Sequence, residues 1–191
     1  MKYIVIKLLI GGLFSAFGQK DMNHPFTIEA HFGLNTLHIE TSAPFDKTVS
    51  SSSSGLGATY YFSNFFYAQT GISVLEDVSL SNLSFDTFKI PLTVGATFKL
   101  DPTHYFLFGE LGGTYRVVYN VVNNLQETSK AKNGVWGFQT RLGMQFQLSK
   151  KVYSKIAYDA EYGFESFCFS NNDTFTIDKI SSISLFFGYR F

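Results

Sequence analysis

Thr87-Phe88-Lys89-Ile90-Pro91-Leu92-Thr93-Val94-Gly95-Ala96-Thr97-Phe98 alternates from end to end. Phe88, Ile90, Leu92, Val94, Ala96 and Phe98 share one face. A period of two is the signature of a β-strand, whose successive side chains point to opposite sides. The same rhythm recurs at about 26–37, 55–62, 65–75, 105–118, 135–148, 152–163 and 175–191. This predicts eight antiparallel strands in an up-and-down barrel. Pro91 conflicts locally with the pattern, because proline cannot donate to a ladder and a closed sheet has no free edge. A bulge, or a missing bond on the lumen side, is expected there.

The connections sort by length. Ser63-Asn64, 99–104 and 149–151 are short. The alternate connections, about 38–54, 76–86, 119–134 and 164–174, are longer and polar, and the first includes the five serines 50–54. Short turns at one rim and long loops at the other characterise a transmembrane barrel.

Two patterns decide which face meets lipid. Outward aromatics fall at two levels: Phe26, Phe62, Phe66, Phe98, Tyr105, Phe146, Tyr189 and Phe191 near the short turns, and Phe88, Tyr115, Trp136 and Tyr162 near the long loops. Aromatic girdles flanking an aliphatic band suit a bilayer. Ten glycines (33, 55, 57, 71, 95, 112, 137, 143, 163 and 188) fall on the other face, where a narrow, filled interior needs small neighbours.

That inner face carries Glu29, His31, Lys89, Glu110, Arg116, Arg141, Lys155, Asp159, Glu161 and Arg190, together with Gln69, Gln139 and Gln145. Five cations against four anions suggest a paired network filling the lumen, since buried charges need partners. Tyr61, Phe65, Tyr67, Phe106, Phe108, Tyr153 and Phe186 are expected to plug its short-turn end, which argues against a wide pore.

Residues 1–18, with Lys2, an apolar run and Ala16-Phe17-Gly18, read as a cleaved signal peptide, leaving 19–191 as the barrel domain. Of 15 basic and 15 acidic residues, Lys2 and Lys7 leave with the leader, so 13 face 15 in the remainder. Such a balance offers no footprint for nucleic acid. The aromatic content is high, with 22 Phe and 11 Tyr, and the single Cys168 cannot form an internal disulfide. Phe167-Cys168-Phe169 is read as packing into a protruding hairpin, with an exposed contact point as the other reading.

The last strand, with Leu185, Phe187, Tyr189 and Phe191 alternating to the end, looks like the terminal strand that the outer-membrane barrel assembly machinery recognises. The leader ending before Gln19, Ile90-Pro91-Leu92 and Tyr61-Phe62-x-Asn64 resemble the PorT-like family of small outer-membrane β-barrel domains. The resemblance covers about 19–191 and implies an eight-stranded barrel in the outer membrane of a Gram-negative bacterium. It implies no agreed activity and no catalytic residues.

The function expected is a non-enzymatic, porin-like barrel with a polar, side-chain-filled lumen, its outer loops serving surface interaction or membrane integrity. Its expected partners are the lipid bilayer, lipopolysaccharide and the assembly machinery. A lipid-A-modifying enzyme is the alternative from another class, with His31 and Glu29 or His38 and Glu40 as its candidates, but no spacing shows a Ser-His-acid set. A small pore and a soluble periplasmic ligand-binding barrel complete the alternatives. His24, His31, His38 and His104 are too scattered in sequence to suggest a metal site. No cofactor is expected.

Overall fold

The computed structural model describes residues 26–41, 47–80, 83–100, 104–123, 134–163, 167–168 and 174–191. The expected leader, 1–18, lies outside them. The strands are β1 (Phe26–Thr41), β2 (Lys47–Tyr61), β3 (Phe66–Leu80), β4 (Leu83–Leu100), β5 (Tyr105–Asn123), β6 (Gly134–Gln147), β7 (Val152–Gly163), β8 (Phe167–Cys168) and β9 (Thr174–Arg190). The eight long strands pair antiparallel in chain order, and β1 pairs with β9 to close the sheet. The two-residue β8 pairs with the start of β9.

The registers fix the geometry. A perpendicular path from Phe26 runs through Tyr60, Ala68, Val94, Leu111, Thr140, Ala160 and Ser181 and returns to Thr36, ten residues further along β1. That stagger over eight strands sets a tilt of about 40° and a backbone radius of about 8 Å. A lumen of that width holds side chains and little else.

The alternation is realised throughout. Thr27, Glu29, Gly33 and Asn35 are buried, whereas Phe26, Ile28, Phe32 and Leu34 are exposed. The strands nonetheless run past the expected bounds at the long-loop rim. Ser50–Ser54 belong to β2, with Ser52 and Ser54 paired to Leu34 and Phe32. Hydroxyl side chains blur the hydrophobic signal, but extended pairing needs only backbone donors and acceptors. Register shifts lie at this rim too: between His38 and Ile39, between Leu75 and Val78, and between Ser84 and Asp86.

Pro91 makes no bulge. Thr70↔Leu92 and Ser73↔Lys89 hold one register across it, while the pairs between them are lost. On the other side Pro91 pairs with Thr114. The outward Thr70 hydroxyl donates to the Pro91 carbonyl at 2.9 Å, turning a polar group back onto the backbone.

Candidate functional site: a filled lumen inside an apolar belt

With that tilt each residue climbs roughly 2.5 Å along the barrel axis. The eight lower outward aromatics then fall at one level. Neighbours among them touch: Phe26–Phe191 at 5.9 Å, Tyr105–Phe146 at 5.4 Å and Tyr189–Phe191 at 5.1 Å between ring centres. Phe88, Tyr115, Trp136 and Tyr162 fall at a second level about 24 Å above, close to the height of about 25 Å typical of the apolar band of such barrels. Tyr115 and Trp136 pair across the strands, their rings 5.0 Å apart. Between the girdles the outward residues are chiefly aliphatic, with Leu92 and Leu142 each 68% exposed.

The upper girdle is incomplete. It covers β4 to β7. At the same level β9, β1 and β2 present Ser181, Thr36 and Ser52, by the same stagger. The four upper aromatics named from the sequence thus make a half ring, and hydroxyl side chains hold the level on the other flank.

Inside, three layers stack along the axis. The lowest is aromatic: Tyr67, Tyr153, Phe108 and Phe186 are all buried. Their rings need room, and the neighbouring strand supplies it in register. Tyr67 faces Gly95, Phe108 faces Gly143 and Tyr153 faces Gly188. A Cβ at any of these glycines would collide with the ring opposite. His31 lies over Gly55 in the same way. These four inner glycines therefore accommodate rings, not charged chains.

The middle layer is one connected ionic network. Lys155 pairs with Glu29 and sits over the rings of Phe108, Tyr153 and Tyr67, 5.0 to 5.6 Å from their centres. Gln69 donates to Glu29 at 3.0 Å and accepts from Arg141 at 3.4 Å. Arg141 pairs with Glu110 at 2.8 Å and with Asp159, its guanidinium 4.6 Å from the centre of the Phe186 ring. Asp159 also accepts from Ser184 at 2.7 Å and from Ser182 at 3.2 Å. Gln139 donates to Asp159 at 3.4 Å and accepts from Lys89 at 3.2 Å. Lys89 and a forked Arg116 close on Glu161 at 2.8 to 3.1 Å. Each carboxylate thus meets at least one cation, as burial requires.

Eight of the ten charge-network residues expected from the sequence, four cations and four anions, come together here. The other two stand apart. His31 bonds Ser73 at 3.1 Å and lies against Phe186. Arg190 sits at the lower rim over Tyr153 and Tyr61, 5.1 and 5.7 Å from their ring centres. Gln69 and Gln139, expected only as part of the polar face, join three ion-pair clusters into one. Their inward parity was the available signal.

The top layer is apolar. Leu37, Ile39, Leu75, Val78, Phe85, Val118, Val135, Ile177 and Ile180 form a buried apolar lid. Several of these residues fall in segments expected to be loops, so their inward direction was not legible. The ionic network lies between an aromatic floor and an apolar lid.

His38 and Glu40 project outward above the upper girdle, beside Asp178 of β9. Among the described residues, these three bring one ligand atom each within 4.8 Å of one another. His104 is exposed at the short-turn rim, and His24 lies outside the described residues. The side chain of Cys168 also lies outside them, while its backbone pairs with Thr174.

No family model matches the chain, and no curated protein matches it in sequence. Solved structures do match. A Neisserial surface protein, NspA, superposes with a TM-score of 0.65 at 14% identity, covering 87% of this chain and 97% of that one. The outer membrane protein OprG of Pseudomonas aeruginosa gives 0.57 at 16% identity, over 87% and 95%. Ail, the attachment invasion locus protein of Yersinia pestis, gives 0.51 at 15%, over 86% and 98%. The chain has the fold of the small eight-stranded outer-membrane β-barrels, and an apolar outer belt to match.

Proposed function

We propose that the chain is a non-enzymatic integral barrel of a Gram-negative outer membrane, whose work is done at its surface and in the membrane rather than through its lumen. The observation that carries this is the combination of an apolar outside with an interior filled from floor to lid. On this reading residues 1–18 direct export and are removed. Leu185, Phe187, Tyr189 and Phe191 present the terminal strand to the assembly machinery. The outer loops contact surface partners or lipopolysaccharide. The PorT-like resemblance in Ile90-Pro91-Leu92 and Tyr61-Phe62-Ser63-Asn64 fits this class and adds no activity.

The geometry gives little to the enzymatic alternative. Ser73 and His31 do form a pair, but inside the lumen, away from any lipid acyl chain. Glu29, the acid considered for His31, is committed to Lys155, Tyr153 and Gln69. The test is to express the full chain, isolate outer membranes, and compare boiled with unboiled samples on a detergent gel. A heat-dependent shift in that fraction, with no ion current in planar bilayers, is expected. A detergent-free periplasmic protein, or a steady conductance, overturns the reading.

A further inference from the structure

We propose that His38, Glu40 and Asp178 form a binding site for one zinc-class divalent cation that clasps the seam where the barrel closes. The seam is the β1–β9 pairing, the contact between the first and last strands. His38 faces Lys179, and the next pair is Ile39↔Ile177, so Asp178 is the extra residue of a bulge. A bulge redirects a side chain. Here it brings a carboxylate of β9 to two outward residues of β1, with one ligand atom from each of the three within 4.8 Å of the others.

The donor set selects the ion. One imidazole nitrogen and two carboxylate oxygens suit zinc and its transition-metal neighbours, whereas calcium and magnesium prefer oxygen throughout. Ligand atoms around a tetrahedral ion at about 2.1 Å lie about 3.4 Å apart, so small rotations about χ angles close the site. Three protein ligands leave a fourth position open. The nearby cation does not fill the place of the metal: the Lys179 ammonium is turned to the Tyr162 ring, 5.6 Å from its centre. Glu40 and Asp178 are exposed and His38 partly so, above the girdle and out of the hydrocarbon, so an ion from solution reaches them.

The site is tested on the full chain refolded in detergent, by competition for zinc against a chromogenic chelator. One zinc per chain is expected, with magnesium and calcium failing to compete. His38→Gln and Asp178→Asn should each weaken binding at least tenfold. Both variants keep His24, His31, His104 and Cys168, so binding at those groups is common to all samples and cancels. Zinc should also raise the urea midpoint of the wild-type barrel and leave that of the double variant unmoved. Each variant is first checked for its heat-dependent gel shift, which reports a closed barrel independently of metal. Equal zinc affinity in folded wild type and folded double variant overturns the proposal, as does a preference for calcium or magnesium.

Discussion

Replacing Lys155 by methionine tests the ionic network at its most enclosed point. The Lys155 and Glu29 side chains are only 2% and 1% exposed. Methionine has similar volume and removes the charge alone. Glu29 keeps its bonds from Tyr153 and Gln69 but loses its cation, and three ring faces lose theirs. Breaking a buried pair from one side costs about 3–5 kcal/mol. The two remaining donors place the expected loss near 4 kcal/mol, about a thousandfold in the folding equilibrium. Glu29→Gln in the same chain removes the stranded charge, so the double variant should recover about half of that loss. The assay is reversible urea unfolding in lipid vesicles, followed by the emission of Trp136, the single tryptophan. A Lys155→Met loss under about 1 kcal/mol, or a double-mutant cycle additive within about 0.5 kcal/mol, would refute the view that the pair is enclosed and coupled.

Gly188→Ala should cost about 1–3 kcal/mol by pushing the Tyr153 ring, whereas Gly113→Ala, with no close neighbour for its Cβ, should stay within about 0.5 kcal/mol; urea midpoints compare them directly. Leu37→Ala should destabilise by about 2–4 kcal/mol yet leave the barrel closed to ions, because the network and rings beneath still fill it. Ion current from that variant would show that the lid alone seals the lumen. Trp136 emission should shift to the blue on insertion and be quenched more by lipids brominated near the headgroup than near the bilayer centre, since Trp136 lies in the upper girdle.

The strand count, the facing of each strand and eight of the ten network residues were legible because lipid on one side and a narrow lumen on the other impose a strict alternation. The glycine positions were legible as well, though not their pairing with rings, which depends on cross-strand register. The lid was missed for a related reason. Ile39, Val78 and Phe85 sit in stretches read as loops, and the bulge at Asp178 reverses the facing of Ile177 beyond it. Asp178 could not have been joined to His38 and Glu40, because they lie at opposite ends of the chain and only closure of the sheet makes them neighbours.

The half ring of upper aromatics has a mechanical consequence. On the β4–β7 side the apolar wall reaches its full height, while on the β9–β1–β2 side it stops lower, where Ser181, Thr36, Ser52 and Ser54 begin. A bilayer of uniform thickness cannot match both heights around an upright cylinder. The molecule relieves the difference by leaning, by thinning the outer leaflet along one flank, or by both. It therefore acts on the surrounding lipid as a wedge with a preferred direction, and shorter-chain or more loosely packed lipids should gather on its serine flank.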